Sequence, residues 1–435
     1  MINLTEIRLG VYVALVVCAT ACHGLLDVSD PTLIQDDALQ NPSGANTQRQ
    51  LASFNFNSNI VTLSRGIAMV TDEWAFDAPA FYDYSASDLA LLDRRESQRF
   101  EAAFTSQGYL GPPTQTVTAT SMAIPFVRAY SPESVRSDYL AQLYAIRGYM
   151  ILEMAEDLCP GFPIDDIVDR QAVFGGPLTT DSVLAVASTT LDSALKYVKD
   201  TARFATLARV TKARVLLEQG KYDEAAAMAN LVGSSPSYTT EEDAAYDMAM
   251  SPGCTTGCLN VVLGDREGGN GLPFVSAHDP RINTLVSTPR NTDSTDTLYY
   301  TDKYNNGASM VLASGLEARL IQAEAELHGN NDHWVTIVDS LRATIGLDVV
   351  AVPSSQAARV DLLYSERAFW LFLTGRRLGD MRRLIRLYGR NPETVFPTGS
   401  YPWGGGNYGT ATSIPFGQAA EEKYNPKITT GCTSR

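Results

Sequence analysis

LLYSERAFWLFLTGRRLGDMRRLIRLY, residues 362–388, decides the architecture. Its apolar residues Leu362, Phe369, Phe372 and Leu373, then Leu378, Met381, Leu384 and Tyr388, recur three to four apart, the period of a helix and not of a strand. Gly375 falls between the two apolar runs, where a left-handed residue ends a helix or lets it bend. Two packed helical segments are therefore predicted. Glu366 stands among large hydrophobes, with Arg367, Arg376, Arg377 and Asp380 close by in sequence. Partly buried charges have to be paired or hydrogen-bonded, so the stretch predicts a buried ionic network with Glu366 and Arg377 as partners. The competing reading is a solvated basic face on an amphipathic helix.

The same residues resemble the C-terminal signature of the SusD/RagB family, outer-membrane lipoproteins that bind nutrients beside TonB-dependent transporters. Glu366, Arg367, Gly375, Arg377, Asp380, Met381 and Arg383 occupy the matching places. Trp370 stands at or beside the family's second Glu, and Thr374 replaces the Glu before the glycine. Further likenesses follow along the chain. Leu26, Asp27, Val28 and Pro31 resemble the tether that leads to the first helix, and His278, Asp279, Pro280 and Arg281 contain a recurring Asp-Pro-Arg. Glu317, Leu320, Ala323, Glu324 and Ala325 resemble a helix motif whose usual upstream Arg is Ser314 here. Ile414, Pro415, Glu421 or Glu422, Asn425 and Pro426 resemble the family's closing motif.

Periodicity extends the helical reading outward. Residues 46–71 form a helix with apolar Leu51, Phe54, Ile60, Val61 and Leu63, and Asp138–Leu158 is a second, ended by Pro160, Gly161 and Pro163. Asp181–Val198 follows, with Asp181 as its predicted N-cap. Phe204–Gln219 and Tyr222–Val232 make a hairpin that resembles a tetratricopeptide repeat, its small residues Ala213, Ala226 and Ala229 permitting close helix contact. Leu312–Leu327 and Trp334–Ile345 form another pair. The predicted fold is mainly α: an array of tetratricopeptide-like helix pairs with a loop-rich insertion and few short strands. The repeats cover about 138–233 and 312–388, and loop-rich ligand-binding portions cover about 72–136, 234–311 and 389–435.

The chain begins with a short polar stretch bearing Arg8, then an apolar run from Leu9 to Val17. That run is too short to span a bilayer, which takes about 20 residues, and reads as a secretory signal. Ala19, Thr20 and Ala21 precede Cys22 as in a bacterial lipobox, so residues 1–21 are predicted to be a signal peptide and Cys22 the lipidated first residue of a domain covering 22–435. The alternative is an ordinary secretory signal with a chance cysteine. Cys159, Cys254, Cys258 and Cys432 remain, and an exported chain meets oxidising conditions. Four cysteines allow three disulfide pairings. Cys254 with Cys258 closes a small loop, which leaves Cys159 with Cys432.

A net charge of −15 over 435 residues excludes the basic footprint that nucleic acid requires. A hydrophobic fraction of 45% with 19% charged residues describes a globular chain. There is no nucleophile elbow, phosphate loop or zincin motif, and the four histidines offer no pair on one helical face. Neither a cofactor nor a metal is predicted. The resemblance implies a surface-exposed, lipid-anchored outer-membrane protein that captures an oligosaccharide or other nutrient and passes it to a TonB-dependent transporter. An envelope scaffold and a secreted glycan hydrolase are the readings of other classes.

Sugar binding uses aromatic faces stacked on sugar rings beside polar groups that hydrogen-bond hydroxyls. Helix repeats spend their apolar faces on one another, so aromatics in loops are the candidates. Trp74, Phe81, Tyr82 and Tyr84 in the first long loop and Tyr299 and Tyr300 in the insertion fit, with Asp72 and Asn305 as polar contacts and Trp403 as a further ring.

Overall fold

Helix α1 (Pro42–Val70) is the first helix among the described residues. The Asn41 side chain caps it, accepting from the Ser43 and Gly44 N–H groups at 3.0 Å each, and Pro42 fills a position where no N–H is needed. The computed structural model describes residues 39–76, 88–96, 111–169, 171–199, 203–241, 261–287, 297–304, 308–402, 406–416, 425–429 and 431–432.

After the short α2 (Asp88–Asp93), helices α3 (Gly111–Tyr130) and α4 (Glu133–Asp157) pack beside α1. Asn59 of α1 donates to the Thr116 hydroxyl of α3 at 3.0 Å, and Gln142 of α4 donates to Ser53 of α1 at 3.1 Å. Helix α5 (Thr180–Tyr197) lies on α4 across Gly148, where a Cβ would meet Leu191 at 2.6 Å. Successive pairs then stack: α6 (Arg203–Glu218) with α7 (Tyr222–Asn230), and α8 (Gly315–His328) with α9 (His333–Ala343), joined through contact of α7 with α8. Ala213, Ala225 and Ala229 are buried at these contacts and Ala226 is half-buried, so small side chains let the helices approach as expected. Helices α10 (Gln356–Trp370), α11 (Arg377–Tyr388) and the one-turn α12 (Pro392–Val395) complete the array.

Among the described residues, eight short strands form four antiparallel pairs. β1 (Trp74–Phe76) pairs with β5 (Val261–Leu263), β2 (Asp166–Val168) with β3 (Gln171–Val173), β4 (Ser237–Thr239) with β8 (Val311–Ser314), and β6 (Leu285–Ser287) with β7 (Leu298–Tyr300). The β4–β8 pair closes the long insertion at its base, with Ser237 opposite Ser314. The helical repeat thus runs on from α7 to α8 as though the intervening residues were a side branch. Ser314 then caps α8 by accepting the Glu317 N–H at 3.1 Å, which gives this position a helix-starting role where the resembling family carries Arg.

The mainly α architecture with few short strands is as the sequence predicts. Two local differences have physical causes. Helix α3 lies inside the portion read as loop: its sequence, GPPTQTVTATSMAIPFVRAY, is rich in Thr and carries three prolines, and burial against α1 and α4 overrides that poor propensity. Thr179, not Asp181, caps α5, because its hydroxyl accepts the Ser182 N–H at 3.2 Å while Asp181 sits in the first turn. Cys159 and Cys432 are joined, with Cα atoms 5.4 Å apart. Cys254 and Cys258 lie outside the described residues.

Candidate ligand-binding face and the ion-pair network beneath it

The turn between α10 and α11 is the hub. Gly375 takes φ +76°, and a Cβ there would come within 2.6 Å of the Ser64 hydroxyl of α1, so the turn needs a residue without a side chain. Leu373 also has positive φ, at +55°, which is unfavourable for a residue with a Cβ. Three groups hold it. Glu73 accepts the Leu373 N–H at 2.7 Å, the Tyr304 hydroxyl donates to the Leu373 carbonyl at 2.7 Å, and the Lys303 ammonium donates to the Phe372 carbonyl. Glu73 follows α1 and Lys303 follows β7, so two regions distant in sequence converge on one turn.

Buried charge pairs surround the hub. Arg377 forks onto Asp72 at 2.6 and 2.7 Å, and Asp72 also accepts the Leu272 N–H at 2.8 Å. Arg367 forks onto Asp380 at 2.8 Å, and Arg383 binds Asp380, Glu324 at 2.9 and 3.0 Å, and Glu218 at 2.5 Å. Arg376 reaches Glu153 at 3.0 Å and Glu317 at 3.3 Å, and Arg214 shares both acids. These side chains are nearly all less than a tenth exposed, so the network is interior and the solvated-face reading of this stretch is overturned. The expected partnership is corrected. Glu366 and Arg377 are both buried, but Glu366 takes Arg281 at 2.7 Å and Arg342 at 2.5 Å, while Arg377 takes Asp72. The two lie at opposite ends of the turn, and each meets an element from elsewhere in the chain.

Arg281, from the Asp-Pro-Arg of the insertion, also binds Asp279 at 2.6 Å and covers the Phe369 and Trp370 rings at 5.0 and 5.1 Å. The insertion is thereby clamped onto α10 by a charge-assisted and cation–π contact. At the far side, Asp93 accepts the Phe76 N–H at 2.8 Å and the Tyr401 hydroxyl at 2.7 Å, and Arg95 donates to the Ala411 carbonyl at 2.6 Å. Those bonds tie β1 and α2 to the C-terminal segment.

Above this base, the β1–β5 and β6–β7 pairs meet: Ala75, Val262 and Leu298 form one small apolar cluster. Strand β1, where the first long loop starts, and the insertion strands β5 and β7 therefore meet on one face. Tyr299 and Tyr300 are half-buried there, with Tyr299 opposite the exposed Val286. Trp74 and Asp72 are corrected. Both are 0% exposed, Trp74 in the core and Asp72 bound to Arg377, so neither has a surface to offer a ligand. Phe81, Tyr82, Tyr84, Asn305 and Trp403 lie outside the described residues, as does Cys22.

Electrostatics mark this base as taut. Burial pushes the Glu73 carboxyl up to about 7 against the pull of its Leu373 hydrogen bond, with the neighbouring Asp72 charge adding to the rise. Lys303 is exposed as a residue but turns its ammonium inward, and desolvation lowers it to about 8 against the attraction of Glu73. Burial raises Asp93 well above the ordinary carboxylate range, with Glu267 adding to the rise. Asp380 goes the other way: Arg367 and Arg383 overcome its burial and hold it far below that range. Among the described residues, no group of three His, Cys, Asp or Glu side chains is placed to hold a metal. The face has rings and hydrogen-bonding groups suited to reversible binding. The supporting roles of Glu73, Lys303 and Arg281 went unread. Their only trace was local: Thr-Asp-Glu closing an apolar helix, and Asp-Pro-Arg in a loop.

No family model matches the chain, and no curated protein matches it. Solved structures do. A SusD superfamily protein from Bacteroides vulgatus is 13% identical, with 91% of this chain and 99% of that one covered at a TM-score of 0.65. Surface glycan-binding protein A from Bacteroides uniformis is 14% identical, with 89% and 99% covered at 0.61. A laminarin-binding SusD-like protein is 12% identical, with 91% and 100% covered at 0.61. Along nearly all of its length, then, the chain has the SusD-like fold.

Proposed function

We propose that this protein is a lipid-anchored outer-membrane protein that captures a glycan on the face built by β1–β5 and β6–β7 and delivers it to a TonB-dependent transporter. The observation that carries the reading is the shared fold over about nine-tenths of the chain with proteins described as glycan-binding and laminarin-binding. The convergence of the two aromatic-bearing regions on one face supports the placement of the site. Tyr299 and Tyr300 supply rings from the described part of this face, and Phe81, Tyr82, Tyr84 and Asn305 supply the remaining contacts in the proposal. The Ala-Thr-Ala-Cys sequence ending at Cys22 supports the anchor.

The test is calorimetric titration of the purified protein with a panel of oligosaccharides, with product analysis of each mixture. One glycan should bind and be recovered intact. Tyr82→Ala, Tyr299→Ala and Tyr300→Ala should each weaken it, by about tenfold or more where a stacked ring is lost. Cleavage of the glycan would assign the protein to the hydrolases. Unaltered affinity in all three variants would move the site elsewhere.

A further inference from the structure

An open groove of about 490 Å³ lies away from the proposed glycan face, between α3 and the β2–β3 pair. Met122, Pro125, Phe126, Ala129 and Tyr130 of α3 line it from one side and Ile167 of β2 from the other. These α3 positions recur three to four apart and so form one stripe along the helix. Met122 at its end is 42% exposed, and Val168 beside Ile167 is 51% exposed. Pro125 has no N–H, so the Ser121 carbonyl on the same wall lacks its helical donor.

A second observation names what belongs there. Leu39 and Gln40, the first described residues, are themselves part of the groove wall, together with Gln48 of α1. Their course is fixed. The Asn41 N–H donates to the Leu39 carbonyl at 2.8 Å, and Leu39 crosses α1 at Gly44, where a Cβ would meet that carbonyl oxygen at 2.1 Å. Leu39 therefore enters α1 from the groove side.

That preceding stretch, residues 30–38, reads DPTLIQDDA, with one apolar pair, Leu33 and Ile34. From Leu39 back to Leu33 an extended chain covers about 20 Å, and the α3 stripe from Met122 to Tyr130 is about 12 Å long, so the pair reaches any point on it. The mostly apolar wall suits two aliphatic side chains better than it suits sugar hydroxyls.

We propose that the groove seats the chain's own N-terminal segment, residues 30–38, with Leu33 and Ile34 as anchors and the Ser121 carbonyl as an acceptor for its backbone. On the lipoprotein reading, the seat also fixes the point from which the tether to Cys22 leaves the body, and hence which face the protein turns to the membrane. Docking itself does not depend on the lipid.

Hydrogen–deuterium exchange of the full chain tests it, in the parent and in Cys22→Ser, so that docking is read apart from anchoring. Amides of residues 33–38 should exchange at least about tenfold more slowly than a free chain in both proteins, independently of protein concentration. Leu33→Asp, and separately Ala129→Arg at an exposed position on the groove wall, should abolish that protection while α4 and α8 keep theirs. Free-chain exchange in the parent overturns the proposal. So does protection that survives Ala129→Arg, or protection that fades on dilution, which would assign the groove to a second copy.

Discussion

Glu366 is the residue at which pattern reading and geometry part most instructively. Its burial was legible, since a carboxylate inside an apolar helical stripe has to be paired. Its partners were not, because Arg281 lies 85 residues away and no local spacing selects it. Glu366→Ala leaves Arg342 without its carboxylate and Arg281 with Asp279 alone. Breaking a buried pair of this kind costs about 3–5 kcal/mol, whereas the exposed Arg390–Asp361 pair contributes under about 1 kcal/mol. Urea unfolding of Glu366→Ala and Asp361→Ala side by side should show that ordering. Equal midpoints would mean that the clamp on the insertion carries no stability. Glu73 gives a pH signature. Its folded value is about 7 against an ordinary 4.5, so the native state holds the proton more tightly than the unfolded chain. That contribution is complete below about 4.5 and is lost as pH rises through about 7, to the extent of about 3 kcal/mol. Glu73→Gln keeps an acceptor for the Leu373 N–H and removes the titration. Between pH 5 and pH 8, its unfolding midpoint should therefore fall less than the parent's, and parallel curves would show that Glu73 titrates normally.

At the scale of elements, the helices that read clearly are those whose apolar stripe meets a neighbouring helix: α1 and α4 through α11 overlap their predicted spans, with ends a few residues off. Helix α3 was unreadable because Thr-rich sequence with an interior proline looks like loop until α1 and α4 are placed against it. Most of the strands were equally hidden. Seven are three residues long and one is four, too short for alternation to register, and β1–β5 and β4–β8 are paired across long gaps in sequence. The C-terminal segment is the extreme case. Ile414 bridges to Leu158, Asn425 donates to the Gly175 carbonyl at 2.9 Å, and Cys432 is bonded to Cys159, all on the terminus of α4 and the loop after it. Without the disulfide, the described residues beyond 416 keep Asn425 bonded to Asp165 and the Gly175 carbonyl and Lys427 bonded to the Phe174 carbonyl as side-chain ties to the body. Cys159→Ser should lower stability by about 2–5 kcal/mol and expose the chain beyond residue 416 to protease before the helices unfold. Cleavage at the same rate as in the parent would show that the hydrogen bonds alone secure it.

For the whole molecule, the question is what holds it at a membrane. None of the described helices is long and apolar enough to cross one. A net charge of −15 opposes adhesion to anionic headgroups, since attraction there comes from Lys and Arg clusters at about 1 kcal/mol each. Stable attachment by lipid takes more than one acyl chain, because a single chain gives only marginal, reversible binding. A diacylated cysteine supplies this, and Cys22 is the residue whose preceding Ala-Thr-Ala suits the processing. The SusD-like fold was legible from the sequence through motifs scattered from Leu26 to Pro426, while the ligand was not, because the rings proposed to contact it lie in loops whose spacing encodes no geometry. The anchor gives the sharpest test at this scale, since none of the described helices offers a membrane span as a second means of attachment. Cys22→Ser should move the protein from the membrane pellet to the soluble fraction with its unfolding midpoint unchanged, and label from a radioactive fatty acid should disappear with it. If the folded variant still sediments with membranes after a high-salt wash, then something other than Cys22 holds it there, and the proposed delivery to a transporter would have to rest on protein contacts alone.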